Sequence, residues 1–314
     1  MPDPIESAAP IEPAPAPAEP APAEPAPARR RRGIVLPLLL GVGLLLALAA
    51  GGWLYWQLTQ ANAQIEQQQR ELDEQRDLID QKEVFGAAMQ RVADNVAALD
   101  GLPFASMVDW NRVDGLADRG WRHRWVAKSL EYDIKDAVGA ADELEELRAA
   151  ATAEAASNVT GTVWETTLDQ LGSGYVSTLM EEADELCEDD VLACVDWADP
   201  FVVHVDADDS AVESMNDWIR TGVAYHEFAH VLQATNPEPT EETLAVFGGD
   251  LERMADCYSL TVLPGWTLEH KVWINSWSWW DVEVGYGYTC NETERQAIRD
   301  WNAKLGVVAR PLGS

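Results

Sequence analysis

The sequence predicts a helix-rich α+β domain, preceded by a disordered tail, one transmembrane helix and a helical stalk. Three observations predict it. An uncharged apolar run spans Gly33 to Trp56, and a Pro/Ala/Glu repeat stands before it. The remainder alternates long helical patterns with a single clear β-branched run at Phe201–Val205.

Taken in order, residues 1–28 hold ten of the seventeen prolines, and the tail 1–32 ends in Arg29–Arg32. Such a segment cannot bury enough apolar surface to offset its ordering entropy. The 24 residues 33–56 are enough to cross a bilayer, for which about 20 suffice. Trp53, Tyr55 and Trp56 close the run with rings that favour the membrane interface. Four arginines on the N-terminal side place the tail in the cytoplasm and everything after Trp56 outside, as a single-pass protein of the cell membrane. A signal peptide cleaved near Ala47-Leu48-Ala49 is the alternative, but the run exceeds the usual apolar region of about 7–15 residues. Either reading exports the downstream domain.

Residues 57–100 read as a helical stalk. Leu58, Ile65, Leu72 and Ile79 recur every seven residues, while the companion positions Ala61, Gln68, Gln75 and Lys82 are mostly polar. Self-association along the stalk is therefore weak. Gly101, Pro103, Gly115 and Gly120 punctuate the entry to an external domain over 101–314. Within it, Arg124–Ala156 reads as a helix, Thr162–Leu171 extends or follows it, and Phe201–Val205 is a strand. Helices follow at about Val212–Thr235 and Thr240–Leu263, then a turn at Pro264-Gly265 and a last helix over Glu292–Leu305. The aromatic stretch Trp277, Trp279, Trp280, Tyr286, Tyr288 reads as core packing rather than a substrate wall. His204 and His123 read as satisfied structural histidines.

The formal charge is −32, of which −27 falls on residues 84–314. Such a field repels polyanions, so nucleic acid is excluded as a partner. No Gly-rich phosphate loop and no G-x-S-x-G nucleophile elbow occur. Cys187, Cys194, Cys257 and Cys290 all lie in the external part, where an even number suggests two disulfides. Three pairings exist, and Cys187–Cys194 with Cys257–Cys290 is preferred because its first pair is local. Without a C-x-x-C, a cysteine metal cluster is disfavoured. Two N-x-[ST] matches, at Asn158 and Asn291, are common by chance.

The chemistry concentrates at His226-Glu227-Phe228-Ala229-His230. Histidines four apart lie one turn apart on one helix face, so both imidazoles can reach one Zn2+ ion. Glu227 beside them is placed to take a proton from water. A catalytic zinc usually takes three protein ligands, and Leu251-Glu252-Arg253-Met254-Ala255-Asp256-Cys257 offers the third. Glu252 and Asp256 share a face, Glu252 as ligand and Asp256 as the acid that orients a zinc histidine. The competing reading, a solvated acidic face, conflicts with Met254, Ala255, Cys257, Leu260 and Val262.

The two stretches resemble the gluzincin zinc metallopeptidases, whose pattern is HExxH followed by Glu-x-x-x-Asp on the next helix. The resemblance is nearest to the bacterial neutral zinc metallopeptidases, which carry a similar HE-x-x-H-x-x-Q and an Ala-Asp-Cys. Cys194-Val195-Asp196 and the run Pro200 to Asp206 add to it, and it covers about Leu192 to Cys290. The resemblance implies a zincin-like peptidase domain with His226, His230 and Glu252 as zinc ligands, Glu227 as general base and Asp256 orienting a histidine. It implies a peptide or protein substrate. It assigns no oxyanion donor; His270, Tyr258, Tyr286 and Tyr288 are the candidates. The rival expectation is a non-catalytic envelope protein whose zinc site is vestigial or structural and which binds a partner. A fourth protein ligand such as His270 would favour it.

Overall fold

The uncharged run and the stalk form one continuous helix, α1 (Val35–Ala98). The computed structural model describes residues 35–182, 187 and 191–312, so the Pro/Ala/Glu tail and its arginines lie outside the described residues. Two units divide within α1, after Gln69. In the first, Leu39, Leu45, Leu48 and Leu54 are exposed along a helix long and apolar enough to cross a membrane. In the second, the heptad residues Leu72 and Ile79 are also exposed, but the helix then turns into a core element. Ala88, Val92, Val96 and Leu99 are buried with Val113 and Leu116 of α2 (Trp110–His123) and Ala137, Ala140 and Ala141 of α3 (Ala127–Ala155). The folded unit thus begins well before residue 101.

Polar clasps fix these three helices. Arg91 of α1 reaches Asp142 and Glu145 of α3 at 2.6 and 2.8 Å. His123 Nδ1 lies 2.6 Å from Asp133 Oδ2, whose other oxygen accepts from Arg119 Nε at 3.3 Å. His123 is therefore a helix-pairing group, as expected. Helix α2 was not legible in advance.

After α4 (Val163–Gly172), capped by Thr162 accepting from Glu165 N–H, the chain builds a three-stranded sheet in the order β1-β3-β2. Strand β3 (Val202–Asp206) is central, parallel to β1 (Ser177–Glu181) and antiparallel to β2 (Ala193–Val195). Val203 and Val205 alternate into the core, and His204 pairs with Glu181 Oε1 at 2.5 Å, a satisfied histidine. The strand read from the sequence is thus central, and among the described residues β1 and β2 are the sheet's edges.

A short helix α5 (Ala207–Ser210) precedes α6 (Asp217–Thr235), which starts later than the apolar pattern suggests because Asn216 caps it, accepting from Ile219 N–H at 3.1 Å. The expected continuous helix over Thr240–Leu263 is two: α7 (Pro237–Leu244) and α8 (Leu251–Val262), parted by a turn at Gly248-Gly249 and restarted by an Asp250 cap. Phe228, Ala229 and Leu232 of α6 pack with Met254 and Cys257 of α8, Trp164 and Leu168 of α4, and Ile298 and Trp301 of α9 (Glu292–Asn302). The helices α6 and α8 are therefore neighbours through their apolar faces, which fixes the relative heights of the residues between them.

Between α8 and α9 stands a hairpin, β4 (Glu269–Trp273) and β5 (Trp279–Glu283). The expectation of core aromatics fails for Trp277, 89% exposed at the hairpin's tip, and for the exposed Trp279 and Tyr286, while Trp280 is half-buried and Tyr288 packs on the core. The disulfides are Cys187–Cys194 and Cys257–Cys290, the preferred pairing. The second joins α8 to the segment before α9 across 33 positions and is worth roughly 3–4 kcal/mol by loop-closure entropy.

One carboxylate in the fold is a liability. Asp169, near the C-terminal end of α4, keeps Oδ1 buried without a partner. Burial, then the charges of Glu154 and Glu165, push its carboxyl up to about 6. Its unfolded value is near 3.9, so the folded state holds the extra proton between the two. That stability is present below about pH 4 and is lost as pH rises through about 6. Asp169→Asn is therefore expected to raise the Tm at pH values above 7 and to leave it little changed near pH 4, as read by circular dichroism melts.

Candidate metal centre

Helix α6 supplies His226, Glu227, His230 and Gln233, and α8 supplies Glu252 and Asp256. The apolar packing between the two helices brings these polar groups to one end of the shared interface. His226 Nε2 and His230 Nε2 are 3.1 Å apart, and each lies 3.0–3.1 Å from Glu252 Oε2. The three ligand atoms thus form a nearly equilateral triangle. Its edges are within a few tenths of the ~3.3 Å separation that ~2.05 Å tetrahedral zinc bonds would give.

The outer ring nitrogens show why those atoms face one another. His226 Nδ1 lies 2.8 Å from Asp256 Oδ1, and His230 Nδ1 lies 2.8 Å from Gln233 Oε1. Both partners are acceptors, so both Nδ1 atoms donate. Each neutral imidazole then turns its Nε2 lone pair inward, toward the other and toward a carboxylate. Three electron-rich atoms at hydrogen-bond distance call for a cation between them, and a His/His/Glu set suits zinc. Without a metal, a proton is the substitute. Burial alone would lower His226, but hydrogen bonds to Asp256 and Glu252 outweigh it and push its pKa up to about 10. Burial would likewise raise Glu252, yet hydrogen bonds from His226 and His230 hold it far below the usual carboxylate range. The group His226, His230 and Glu252 is thus able to hold a metal ion.

Glu227 is the remaining site carboxylate. It is 4% exposed, and its Oε2 is buried with no hydrogen-bond partner. Burial pushes its carboxyl up to about 7. The site opens into a cleft of about 650 Å³, lined on one side by β2 and Trp197 and on the other by Trp266, Leu268 and the segment Glu283–Tyr286.

Of the four candidate oxyanion donors, the structure brings one to the cleft. Tyr286 is 59% exposed, its ring stacked 6.1 Å from that of His226. Tyr258 is buried against Phe228 and Trp301. Tyr288 lies under Arg253, and His270 packs on Trp266 with ring centroids 4.5 Å apart. Among the described residues His270 is not part of the metal-ligating group, and no fourth protein ligand joins it.

Two site residues were given no role from the sequence, although the first closes the HE-x-x-H-x-x-Q pattern. Gln233, fully buried, accepts from His230 and donates from Nε2 to Leu251 O at 3.0 Å, tying α6 to the start of α8. A polar side chain three residues beyond His230 on an apolar helix was the available signal. Gly285, at φ +76°, lies so close to Asp256 that a Cβ there would stand 2.4 Å from Oδ1. Its neighbour Tyr286 donates its backbone N–H to Asp256 Oδ2 at 2.9 Å. Asp256 therefore bridges the hairpin segment and the metal histidine.

No family model, curated protein or solved structure matches this chain. The site stands on its own geometry.

Proposed function

We propose that this chain is a membrane-anchored zinc peptidase of zincin-like architecture, acting outside the cytoplasm with its N-terminus inside. The observation that carries the proposal is Glu227: a buried carboxylate with an unpartnered oxygen, adjacent in sequence to one ligand of a three-donor centre, at the floor of an open cleft. A purely structural metal site has no use for such a group. The long apolar helix and two disulfides support export and anchoring.

His226, His230 and Glu252 would hold the ion, and a bound zinc supplies Lewis acidity to water and to the substrate carbonyl. Glu227 accepts a proton from the attacking water as the water oxygen bonds to the scissile carbonyl carbon. Glu227 then returns that proton to the departing nitrogen as the C–N bond breaks, leaving a carboxylate and an amine. Asp256 and Gln233 hold the two imidazoles in the tautomer that turns Nε2 inward. Tyr286 is placed to donate to the carbonyl oxygen as it gains charge. Strand β2, an edge strand among the described residues, lines the cleft and suits an extended peptide added as a further strand.

The test is removal of the metal. Full-length protein incubated with a peptide library is expected to cleave peptide bonds, to stop after chelation and to recover with about one equivalent of zinc. Cleavage that persists in protein shown to be free of metal would contradict the proposal.

A further inference from the structure

We propose that Glu283 is a specificity-determining residue of the cleft, selecting a polypeptide segment with a lysine or arginine side chain beside the bond to be cut; this rests on the peptidase reading above. Four carboxylates line the cleft, those of Glu227, Glu252, Asp256 and Glu283, and no lysine or arginine lines it among the described residues. Three of them are committed. Glu252 meets both imidazoles, Asp256 holds His226 and the Tyr286 N–H, and Glu227 is buried at the floor.

Glu283 differs in being exposed at the rim. It ends β5 directly opposite Glu269 of β4. Like charges facing each other across an antiparallel pair repel, a cost with no return inside the hairpin. The next pair toward the tip on that face, Lys271 opposite Asp281, is balanced, with Lys271 lying 4.6 Å over the Trp279 ring. Charge compensation therefore stops one pair short of the cleft. A cationic side chain entering there would relieve this repulsion.

Position supports the same reading. Glu283 and Tyr286 line the same cleft, three residues apart on either side of the bend at Gly285. The unpartnered Glu227 oxygen marks the cleft independently as a place where a ligand completes the hydrogen bonding. An extended segment laid between β2 and the 283–286 segment would meet apolar side chains along most of both walls. Among the described residues, the exposed charge it would meet is Glu283.

The experiment compares short peptides identical except for Lys, Gln or Glu at one position on either side of the cleaved bond. Full-length zinc-loaded protein is expected to prefer Lys over Gln by about fivefold in kcat/KM, the scale of a partly exposed ion pair. In Glu283→Gln the ratio falls to near one, and in Glu283→Lys the Glu peptide becomes the best of the three. Fluorescence anisotropy with the Glu227→Gln protein reads the same ratios as Kd, with the preference shrinking at high salt. An equal Lys/Gln ratio in wild type, or a ratio that survives both substitutions, would overturn the assignment. If wild type cleaves no peptide, the peptidase reading fails, while the Kd ratios still decide what Glu283 does. Both variants alter an exposed strand residue, and a thermal melt alongside establishes that each is folded.

Discussion

Replacing Glu227 by glutamine is expected to lower peptide hydrolysis by about 10²–10⁴-fold while zinc content stays at one ion per chain. The amide keeps the size and burial of the carboxyl, so α6 retains its packing against α8. What disappears is the ability to accept a proton, the one role for which this group is equipped. Its geometry suits proton transfer, because its Oε2 is buried at the cleft beside the three-donor group with no hydrogen-bond partner among the described residues. Steady-state kinetics on a cleaved peptide, with metal analysis of the same preparation, reads both quantities. Undiminished turnover in Glu227→Gln would rule out this carboxylate as the general base.

The second large effect concerns the frame and not the chemistry. Asn236 is 1% exposed and closes α6. Its Oδ1 accepts from Ala105 N–H at 3.2 Å and Gly306 N–H at 3.0 Å. Its Nδ2 donates to Pro103 O at 2.8 Å and Leu232 O at 2.9 Å. One side chain thus ties the end of the zinc helix to segments more than 130 positions before it and 70 after it. Asn236→Leu keeps the volume and strands several buried backbone groups, each at about 1–3 kcal/mol. We expect a loss of roughly 3–5 kcal/mol and a fall in Tm on the order of 10 °C. A melt within a degree or two of wild type would show that water replaces these bonds.

Much of the site was legible because its spacing is helical. Residues four apart must share a face, so His226 with His230 and Glu252 with Asp256 could be read as pairs. Their apolar neighbours required those faces to be enclosed. The sequence does not state which atom of which pair meets the other; packing between α6 and α8 decides that. The role of Gln233, though it closes the HE-x-x-H-x-x-Q pattern, and that of Gly285 were hidden for the same reason. Their roles exist only once Leu251 O and Asp256 stand opposite them.

The misses in the fold have physical causes too. Gly120 reads as a helix breaker, yet it lies inside α2 where a Cβ would stand 2.2 Å from the Phe85 ring. Here glycine permits close approach of two helices and does not end one. The tryptophans of the hairpin read as core because large aromatic side chains usually bury. Alternation on a two-stranded ribbon instead leaves one face, and the tip, with nothing in the unit to cover it. Strand β2, only three residues long, carries too little pattern to be seen, although it forms the wall of the cleft.

The functional proposal rests on two imidazoles and one carboxylate that converge so that they could hold one metal ion. Zinc content of purified full-length protein, measured side by side with Glu252→Ala, tests it most directly. One zinc per wild-type chain is expected, with loss of stoichiometric zinc from the variant at the same free-metal concentration. A wild type without bound zinc, or a variant that keeps it in full, would contradict that convergence.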